Sequence, residues 1–310
     1  MRLVILNLPK FFRFIVAAAI FVSAGSAFAV DKPRPGEALL REAYQRNLAG
    51  LANNSFGLPL TLESVAQEDR VHVDVYGILA YPFSGVVNVL QDPANWCDIV
   101  SLPPNVKACT YRQLPGAALL TFYLGRKVYQ PPEDAHPVIY QYRKVAQQAE
   151  YLDIVLSADI GPFGTKDHQL RFEALPLDGG RTFVHVSYTY HDTVALRLAA
   201  KGYFSTIGRN KVGFTVTGTD RNGQPVHIGG PRGAVERNAA RYYLAIQAFM
   251  SSLRYPAERR FGMRISEWYT LTSRYPKQLF DLDRQDYLKF KTAEHENQVL
   301  LQRSIGTGLQ

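Results

Sequence analysis

The sequence predicts an α+β fold in which one long amphipathic helix near the C-terminus lies against a sheet. The helix is Val235–Leu253, where apolar side chains recur at alternating steps of four and three residues and so share one face. Between residues 58 and 228, most segments are rich in tyrosine and β-branched residues and are separated by turn signals, which is typical of strands. A single amphipathic helix that follows many strands is expected to bury its apolar face against the sheet.

The N-terminus has the pattern of a secretory signal peptide. Arg2, Lys10 and Arg13 precede an apolar run at residues 14–24, and small residues then lead to Ala29. A membrane anchor is the alternative, but the run is shorter than the roughly 20 apolar residues that span a bilayer. We therefore expect cleavage after Ala29 and an exported protein, periplasmic in a Gram-negative host or otherwise secreted. Removal of the three basic residues lowers the formal net charge of +8 by three.

Composition and turn signals divide the chain into four segments. They are a signal peptide at residues 1–29, a leader with a first helix at residues 30–57, a sheet-and-helix domain at residues 58–255, and a helical extension at residues 256–310. The first helix is predicted at Glu37–Leu51. In the extension, Glu258–Arg274 and Asp283–Gln302 are amphipathic but have too few large apolar residues for a core of their own. We expect the extension to pack on the preceding domain.

Turn signals separate eight predicted strands within the central domain. The strands are Leu58–Glu63, Val71–Phe83, Val106–Leu114, Ala117–Tyr129, Pro137–Ala146, Tyr151–Ser157, Gln169–Leu175 and Thr182–Tyr190. Two short helices, Gly85–Leu90 and Ala94–Val100, follow the second strand. A third helix at Val194–Ile207, and a hairpin of Lys211–Thr219 with Gln224–Ile228, precede the long helix.

Two cysteines, Cys97 and Cys109, are the only ones in the chain. In an exported protein with two cysteines, a disulfide between them is the default expectation. A redox-active pair is the alternative, but its thiols are usually much closer in sequence, as in C-x-x-C. We predict a structural disulfide, worth about 3 kcal/mol, that ties the end of a short helix to the start of the next strand.

Charge and motif content argue against several classes of function. The positive surplus is mild, and no cluster of Lys and Arg is interleaved with aromatic residues, so we expect no nucleic-acid partner. The seven histidines have no metal-ligand spacing, and the sequence has no nucleophile elbow, P-loop or dinucleotide fingerprint. We predict no catalytic residue, no metal site and no cofactor. The mild positive charge is compatible with a transient contact between the protein and an anionic membrane surface, but does not require one.

Two segments carry a resemblance to a known superfamily. Residues 81–100, YPFSGVVNVLQDPANWCDIV, are similar to a first strand that runs into two small helices, and residues 233–253, GAVERNAARYYLAIQAFMSSL, to a long final helix. Together with the order of elements over Leu58–Leu253, they resemble the helix-grip fold of the START-like (SRPBCC) superfamily. The resemblance implies a curved antiparallel sheet that wraps around the long helix. It also implies a tunnel between them that usually holds an apolar ligand such as a lipid, a sterol or a polyketide.

The cavity candidates that follow from this resemblance are side chains of the strands and of the long helix. They are Phe122, Tyr140, Tyr142, Tyr188, Tyr190, Tyr242, Ile246, Phe249 and Leu253. Aromatic rings can line such a cavity, with phenolic hydroxyls meeting a polar group of the ligand. The same rings can instead fill the space as ordinary core and strand residues.

Three hypotheses for function stand side by side. The first is an exported protein that binds or carries an apolar small molecule, such as a lipid, without chemistry. The second is an enzyme of the cyclase or aromatase kind, which requires a polar pair inside the cavity, with His185 and Tyr188 as the candidates. The third is a ligand-free interaction module of the cell envelope that docks through residues 256–310. The set of aromatic strand residues that faces a single long apolar helix motivates the first.

Overall fold

An eight-stranded antiparallel sheet forms the centre of the fold in the computed structural model, which describes residues 36–67, 69–206 and 208–306. The predicted signal peptide lies outside these residues. The strands are β1 (Leu60–Gln67), β2 (Arg70–Leu79), β3 (Val106–Leu114), β4 (Ala117–Leu124), β5 (His136–Gln147), β6 (Leu152–Ile160), β7 (Lys166–Leu177) and β8 (Arg181–His191). Their order across the sheet is β1-β2-β8-β7-β6-β5-β4-β3, so β8 returns to pair with β2, and β1 and β3 form the edges.

A long helix, α5 (Gly230–Ser252), packs against one face of this sheet, which we call the inner face. Tyr243 of the helix is fully buried. Gly77 on β2 permits the close approach, because a Cβ there would lie 2.2 Å from the Tyr243 hydroxyl oxygen. The helix begins earlier than predicted because Pro231, with its fixed backbone angle, suits the first turn of a helix.

Two short helices, α2 (Phe83–Leu90) and α3 (Pro93–Val100), connect β2 to β3. A disulfide joins Cys97 on α3 to Cys109 on β3, with the two Cα atoms 4.9 Å apart. The predicted disulfide is therefore confirmed. It fixes α3 to the strand that forms one edge of the sheet.

The opposite, outer face of the sheet is partly covered by α1 (Glu37–Ala52). This helix and the strands beneath it share a second, smaller core. Its members are Leu40, Ala43, Leu51, Tyr76, Tyr151, Leu175 and Phe183. Because successive side chains of a strand point to opposite faces, the residues of β2, β7 and β8 that face α1 cannot also face α5.

The helical extension completes the core beneath α5. It comprises α6 (Ala257–Thr272), α7 (Pro276–Leu279) and α8 (Arg284–Ile305). Ile265, Trp268 and Tyr287 pack into the same core as α5, and the Tyr287 hydroxyl donates a hydrogen bond to the Leu102 carbonyl at 3.0 Å. These contacts make the extension a part of the main core. Neither these helices nor any other helix in the described ranges is long and apolar enough to cross a bilayer.

Helix α8 also covers the free edge of β3. The side-chain oxygen of Gln298 accepts a hydrogen bond from the Cys109 N–H at 2.8 Å. One helical turn later, the Gln302 side chain accepts from the Tyr111 N–H and donates to the Tyr111 carbonyl, at 2.8 and 2.9 Å. The two glutamines thus take the place of a neighbouring strand and satisfy an edge that would otherwise be open to another chain.

Three buried charged side chains fix the middle of α8. Glu294 accepts hydrogen bonds from Lys107 Nζ and Lys291 Nζ, at 2.7 and 2.6 Å. Lys291 is 3% exposed, and burial lowers its pKa to about 8 although Glu294 acts in the opposite direction. Because an unpaired charge in such a place is strongly destabilising, α8 depends on the carboxylate between the two ammonium groups.

The segment between β8 and α5 contains one helix and one hairpin. They are α4 (Val194–Ser205) and the strand pair β9 (Val216–Thr219) with β10 (Pro225–His227). The predicted strand that starts at Lys211 is shorter in the structure, because two of its backbone N–H groups donate hydrogen bonds to Glu236 of α5. The Glu236 carboxylate accepts hydrogen bonds from the N–H groups of Phe214 and Thr215 at 2.7 and 2.9 Å.

Candidate functional site

A cavity of about 290 Å³ lies between the inner face of the sheet and the N-terminal half of α5. Strands β4, β5, β7 and β8 supply one wall and α5 the opposite wall, while α4, the loop before β7 and Asn105 in the loop before β3 contribute the rest. The lining residues are Asn105, Phe122, Leu124, Tyr140, Pro162, Thr165, His168, Leu170, Tyr188, Tyr190, Leu196, Ala234, Val235, Asn238 and Tyr242. Rings and aliphatic chains dominate, and the polar groups are hydroxyls, amides and one imidazole.

The strand pattern explains how the aromatic side chains converge. Val186 of β8 is buried on the inner face, and Tyr188 and Tyr190 follow on the same side of the strand. On the neighbouring strands β4 and β5, the rings of Phe122 and Tyr140 lie with their centroids 4.5 Å apart. Four aromatic side chains from three strands therefore meet at one wall.

Five of the nine predicted cavity residues line this space together. They are Phe122, Tyr140, Tyr188, Tyr190 and Tyr242. The hydroxyl of Tyr142 instead donates a hydrogen bond to the Gln91 carbonyl at 2.9 Å. Ile246 and Phe249 are buried in the core farther along α5, and Leu253 follows the last turn of that helix. The predicted helical stripe thus divides into an N-terminal part beside the cavity and a C-terminal part in the core.

A chain of hydrogen bonds begins at Tyr188 in the cavity wall. The Thr165 hydroxyl donates to the Pro162 carbonyl at 2.7 Å, so its oxygen is left as an acceptor for His168 Nε2, also 2.7 Å away. Nε2 therefore carries the proton of the neutral imidazole, and Nδ1 accepts a hydrogen bond from the Tyr188 hydroxyl at 2.7 Å. The His168 ring also stacks on Tyr190, with the centroids 5.3 Å apart.

His168 is the site residue that the sequence prediction misses. The predicted strand starts at Gln169, whereas β7 starts at Lys166 and has a register shift between these two residues. Asp167 in this bulge has a φ of 52°, a left-handed conformation that aspartate tolerates better than most residues. Gly161 leaves room for the imidazole, because a Cβ there would lie 2.1 Å from His168 Nε2. In the sequence, Gly161 looks like an ordinary turn glycine, so no local signal identifies this contact.

Burial keeps the titratable side chains of the cavity wall neutral near pH 7. It raises the pKa of Tyr188 well above 10, and the Tyr140 and Tyr242 side chains raise it further. Burial also raises the pKa of Tyr190 and Tyr242 to about 12 and lowers the pKa of His168 to about 4. The wall thus offers neutral hydrogen-bond donors and acceptors. Among the described residues, no group of three or more His, Cys, Asp or Glu side chains is arranged to hold a metal ion.

His185 lies on the outer face of β8, which corrects its prediction as one half of a polar pair with Tyr188 in the cavity. The two residues are three apart on one strand, and side chains an odd number of residues apart point to opposite faces. His185 instead contacts Asp74 and Glu173, at 2.7 and 2.8 Å. The polar pair that the cavity does contain is Tyr188 with His168.

A second cavity, of about 330 Å³, adjoins the first between α4 and α5. Tyr190, Leu196 and Ala234 line both cavities, so the two spaces meet at these side chains. Val194 and Leu198 of α4 are 64% and 66% exposed. The helix that borders the second cavity therefore also presents apolar side chains to solvent.

No family model matches this sequence, and no curated protein matches it either. Solved structures similar to the chain include human StAR-related lipid transfer protein 5, with 9% identity and a TM-score of 0.37 over 70% of this chain and 98% of that one. The Zhui aromatase/cyclase from Streptomyces sp. R1128 has 15% identity and a TM-score of 0.29, over 40% and 70% of the two chains. Norcoclaurine synthase from Thalictrum flavum has 11% identity and a TM-score of 0.31, over 46% and 77%.

At these identities and TM-scores, the likenesses carry no information about ligand or activity. The fold is assigned from the topology of this chain. Two strands and two short helices precede six further antiparallel strands, β8 returns to pair with β2, and a long helix packs on the inner face. That order is the one that the sequence resemblance implies. The chain therefore has a helix-grip fold.

Proposed function

We propose that this chain is an exported protein that binds and carries an apolar small molecule of the lipid class in the cavity between the sheet and α5. The observation that carries the proposal is the cavity itself, about 290 Å³ of space walled by rings and aliphatic chains with a few convergent polar groups. Small-molecule sites are typically concave and mostly apolar, with a small number of polar groups that fix the orientation of the ligand.

The size and polarity of the cavity narrow the class of ligand. Ligand pockets usually enclose about 300–1,000 Å³, so this cavity favours a single acyl chain or one compact ring system over a two-chain lipid. Tyr242 offers a hydroxyl group, and beside it the Tyr140 and Tyr188 hydroxyls are hydrogen-bonded to each other, with the Tyr188 proton pointing to His168. A ligand that fits carries a hydroxyl or carbonyl group as well as an apolar body.

Export and a transient contact with a membrane surface are parts of the same proposal. Export is supported by the signal-peptide pattern of residues 1–29 and by the Cys97–Cys109 disulfide, since disulfides persist mainly in oxidising compartments. A carrier must exchange its ligand with a membrane or a partner. The exposed Val194 and Leu198 on α4, beside the second cavity, give an apolar surface on which such a contact can form.

Native mass spectrometry of protein purified from its own cell envelope tests the binding function directly. We expect a bound apolar molecule that wild type and Ala257→Trp retain and that Ala234→Trp loses. Ala234 lines the cavity, which a tryptophan there would fill, whereas Ala257 is exposed at the start of α6 and serves as the matched control. The proposal fails if no molecule is found and the delipidated protein takes up no fatty acid, sterol-like or phospholipid probe.

A second candidate function is acid–base chemistry on the bound molecule, as in a cyclase or aromatase. The hydrogen bond from Tyr188 to His168 favours it, because it places a phenolic proton at the cavity wall beside an imidazole acceptor. Tyr188→Phe and His168→Gln separate the two functions. In a carrier, each variant weakens uptake by about tenfold or less, the effect of one hydrogen bond. In an enzyme, turnover of a bound probe stops while its uptake remains.

A further inference from the structure

Four basic side chains gather beside the cavity around a single carboxylate. They are Lys127, Lys211, Arg237 and Arg241, here called the basic cluster. The carboxylate belongs to Asp281: Arg241 Nη2 lies 2.7 Å from its Oδ2, and Lys127 Nζ contacts its Oδ1. Lys211 is held close by, since its Nζ donates a hydrogen bond to the Phe280 carbonyl at 3.2 Å. With Glu236, whose charge also acts on Arg237, two acidic groups stand against four basic groups, and the cluster keeps a positive surplus.

Two of these side chains are buried with donors that lack an acceptor. Arg237 and Arg241 are 7% and 2% exposed, and among the described residues Nη1 of Arg237 and Nε of Arg241 have no hydrogen-bond partner. Glu236 adds negative charge near Arg237, but its carboxylate accepts hydrogen bonds from Ser64, Phe214 and Thr215 and does not serve as the acceptor for Arg237 Nη1. A buried guanidinium that lacks acceptors is unfavourable, so this position is suited to an anion from outside the chain.

The basic cluster adjoins the cavity through two residues of α5. Asn238 lines the cavity, and its side-chain oxygen accepts a hydrogen bond from Arg241 Nη1 at 3.3 Å. Tyr242 also lines the cavity; burial raises the pKa of its hydroxyl, and the positive charge of Arg241 acts in the opposite direction. Carboxylates and phosphates are the groups that a guanidinium binds best, because two of its donors can meet two of their oxygens.

We propose that the basic cluster binds the anionic head group, a carboxylate or a phosphate, of the molecule whose apolar body fills the cavity. This inference rests on the proposed binding function and narrows it to amphiphilic ligands with one anionic end. Arg237 and Arg241 supply the unpaired donors. Lys127, whose side chain is 45% exposed, marks the side of the cluster that solvent reaches.

Paired probes test this assignment on the delipidated full-length protein. Dodecanoate and dodecanol share the same apolar chain and differ in the charge of the head group. We expect wild type to bind dodecanoate about tenfold more tightly than dodecanol, and Arg237→Gln to lose this preference. Lys127→Gln, at an exposed position, should reduce the preference in the same direction. Arg112→Gln, an exposed position on β3, should leave it unchanged.

The outcomes separate this inference from the proposed function. Equal binding of the two probes by wild type, or a preference that survives in both Arg237→Gln and Lys127→Gln, overturns the head-group assignment while the binding function stands. If neither probe binds, the binding function fails for single-chain ligands and the head-group assignment fails with it.

Inorganic phosphate distinguishes a head-group site from a site for a free anion. Phosphate should raise the thermal unfolding temperature of ligand-free wild type but not that of Arg237→Gln, and dodecanoate should compete with it. Stabilisation by phosphate that dodecanoate does not affect would indicate a free-anion site and overturn the assignment. Because Arg237→Gln removes a buried charge that lacks an acceptor, we expect the ligand-free variant to be at least as stable as wild type.

Discussion

Nε2 of His185 lies 2.7 Å from Oδ1 of Asp74, a contact that joins β8 to β2 on the outer face of the sheet. Nδ1 of the same ring lies 2.8 Å from the Glu173 carboxylate on β7, and Tyr76 stacks on the ring. Burial alone would lower the pKa of His185, but the two carboxylates outweigh it and raise this pKa to about 9. A charged imidazole therefore links three strands.

This contact makes the stability of the fold depend on pH. The pKa of His185 is higher in the folded chain than the value of about 6.5 for an unfolded histidine. The charged ring therefore stabilises the fold fully below pH 6.5, and this contribution is lost as the pH rises through 9. We expect the difference in unfolding free energy between wild type and His185→Gln to shrink by roughly 3 kcal/mol from about pH 6 to above pH 9.

Urea denaturation of both proteins across this pH range measures the effect. His136→Gln, at an exposed histidine on β5, is the matched control and should follow wild type at every pH. A difference between wild type and His185→Gln that stays constant with pH would show that the ring contributes packing and not charge.

Replacement of both Gln298 and Gln302 by alanine should uncover the edge of β3. The Cys109 N–H would lose a buried partner, which we expect to lower the free energy of unfolding by about 1–3 kcal/mol. The open edge should also promote self-association, visible as concentration-dependent sedimentation. Gln285→Ala, an exposed position on the same helix, should change neither property. A double variant that is both monomeric and fully stable would contradict this role of the glutamines.

Glu294→Gln should destabilise the protein far more than Lys291→Met. The first change leaves two buried ammonium groups without an anion, which we expect to lower the free energy of unfolding by about 3–5 kcal/mol. The second change keeps the Lys107–Glu294 pair and removes a lysine whose pKa burial lowers to about 8. Denaturation curves of the two variants measure the contrast. Equal losses would instead point to the hydrogen bond from Lys291 to the Val106 carbonyl.

Gly161→Ala should displace the imidazole of His168 and weaken ligand uptake. The added Cβ would lie 2.1 Å from Nε2, and the φ of −119° at Gly161 suits alanine, so the effect comes from the contact and not from backbone strain. We expect a loss of about 1–3 kcal/mol in stability, as for other overpacked sites, together with shifted imidazole signals in NMR spectra. Gly85→Ala, where a Cβ meets nothing within 4 Å, is the control. Unchanged imidazole signals would contradict the prediction.

Elements that depend on a local pattern are predictable from this sequence. The predicted strand Val106–Leu114 matches β3 at both ends, because Pro104 and Pro115 punctuate it on either side. The long helix is predictable for the same reason, since its apolar spacing is local. The Cys97–Cys109 disulfide is predictable because the chain has only two cysteines.

The site is only partly predictable, because its contacts depend on register and on distant segments. Whether Tyr188 or His185 enters the cavity is decided by which face of β8 is turned inward. His168 joins Tyr188 only through a bulge at Asp167, which no pattern in the sequence marks. The residues of the basic cluster come from a loop after β4, from the segment before β9 and from α5. They become neighbours only when these elements pack together.

The cover that α8 places on β3 has a consequence for the order of folding. Gln298 lies 189 residues after its partner Cys109, and Gln302 lies 191 residues after Tyr111, so neither contact can form until almost the whole chain is present. Contacts between such distant segments form slowly, because a long loop must close first. We therefore expect a late folding intermediate in which all eight strands are paired and α8 is still undocked. In that interval one edge of the sheet is open, and the chain is at its most prone to aggregate.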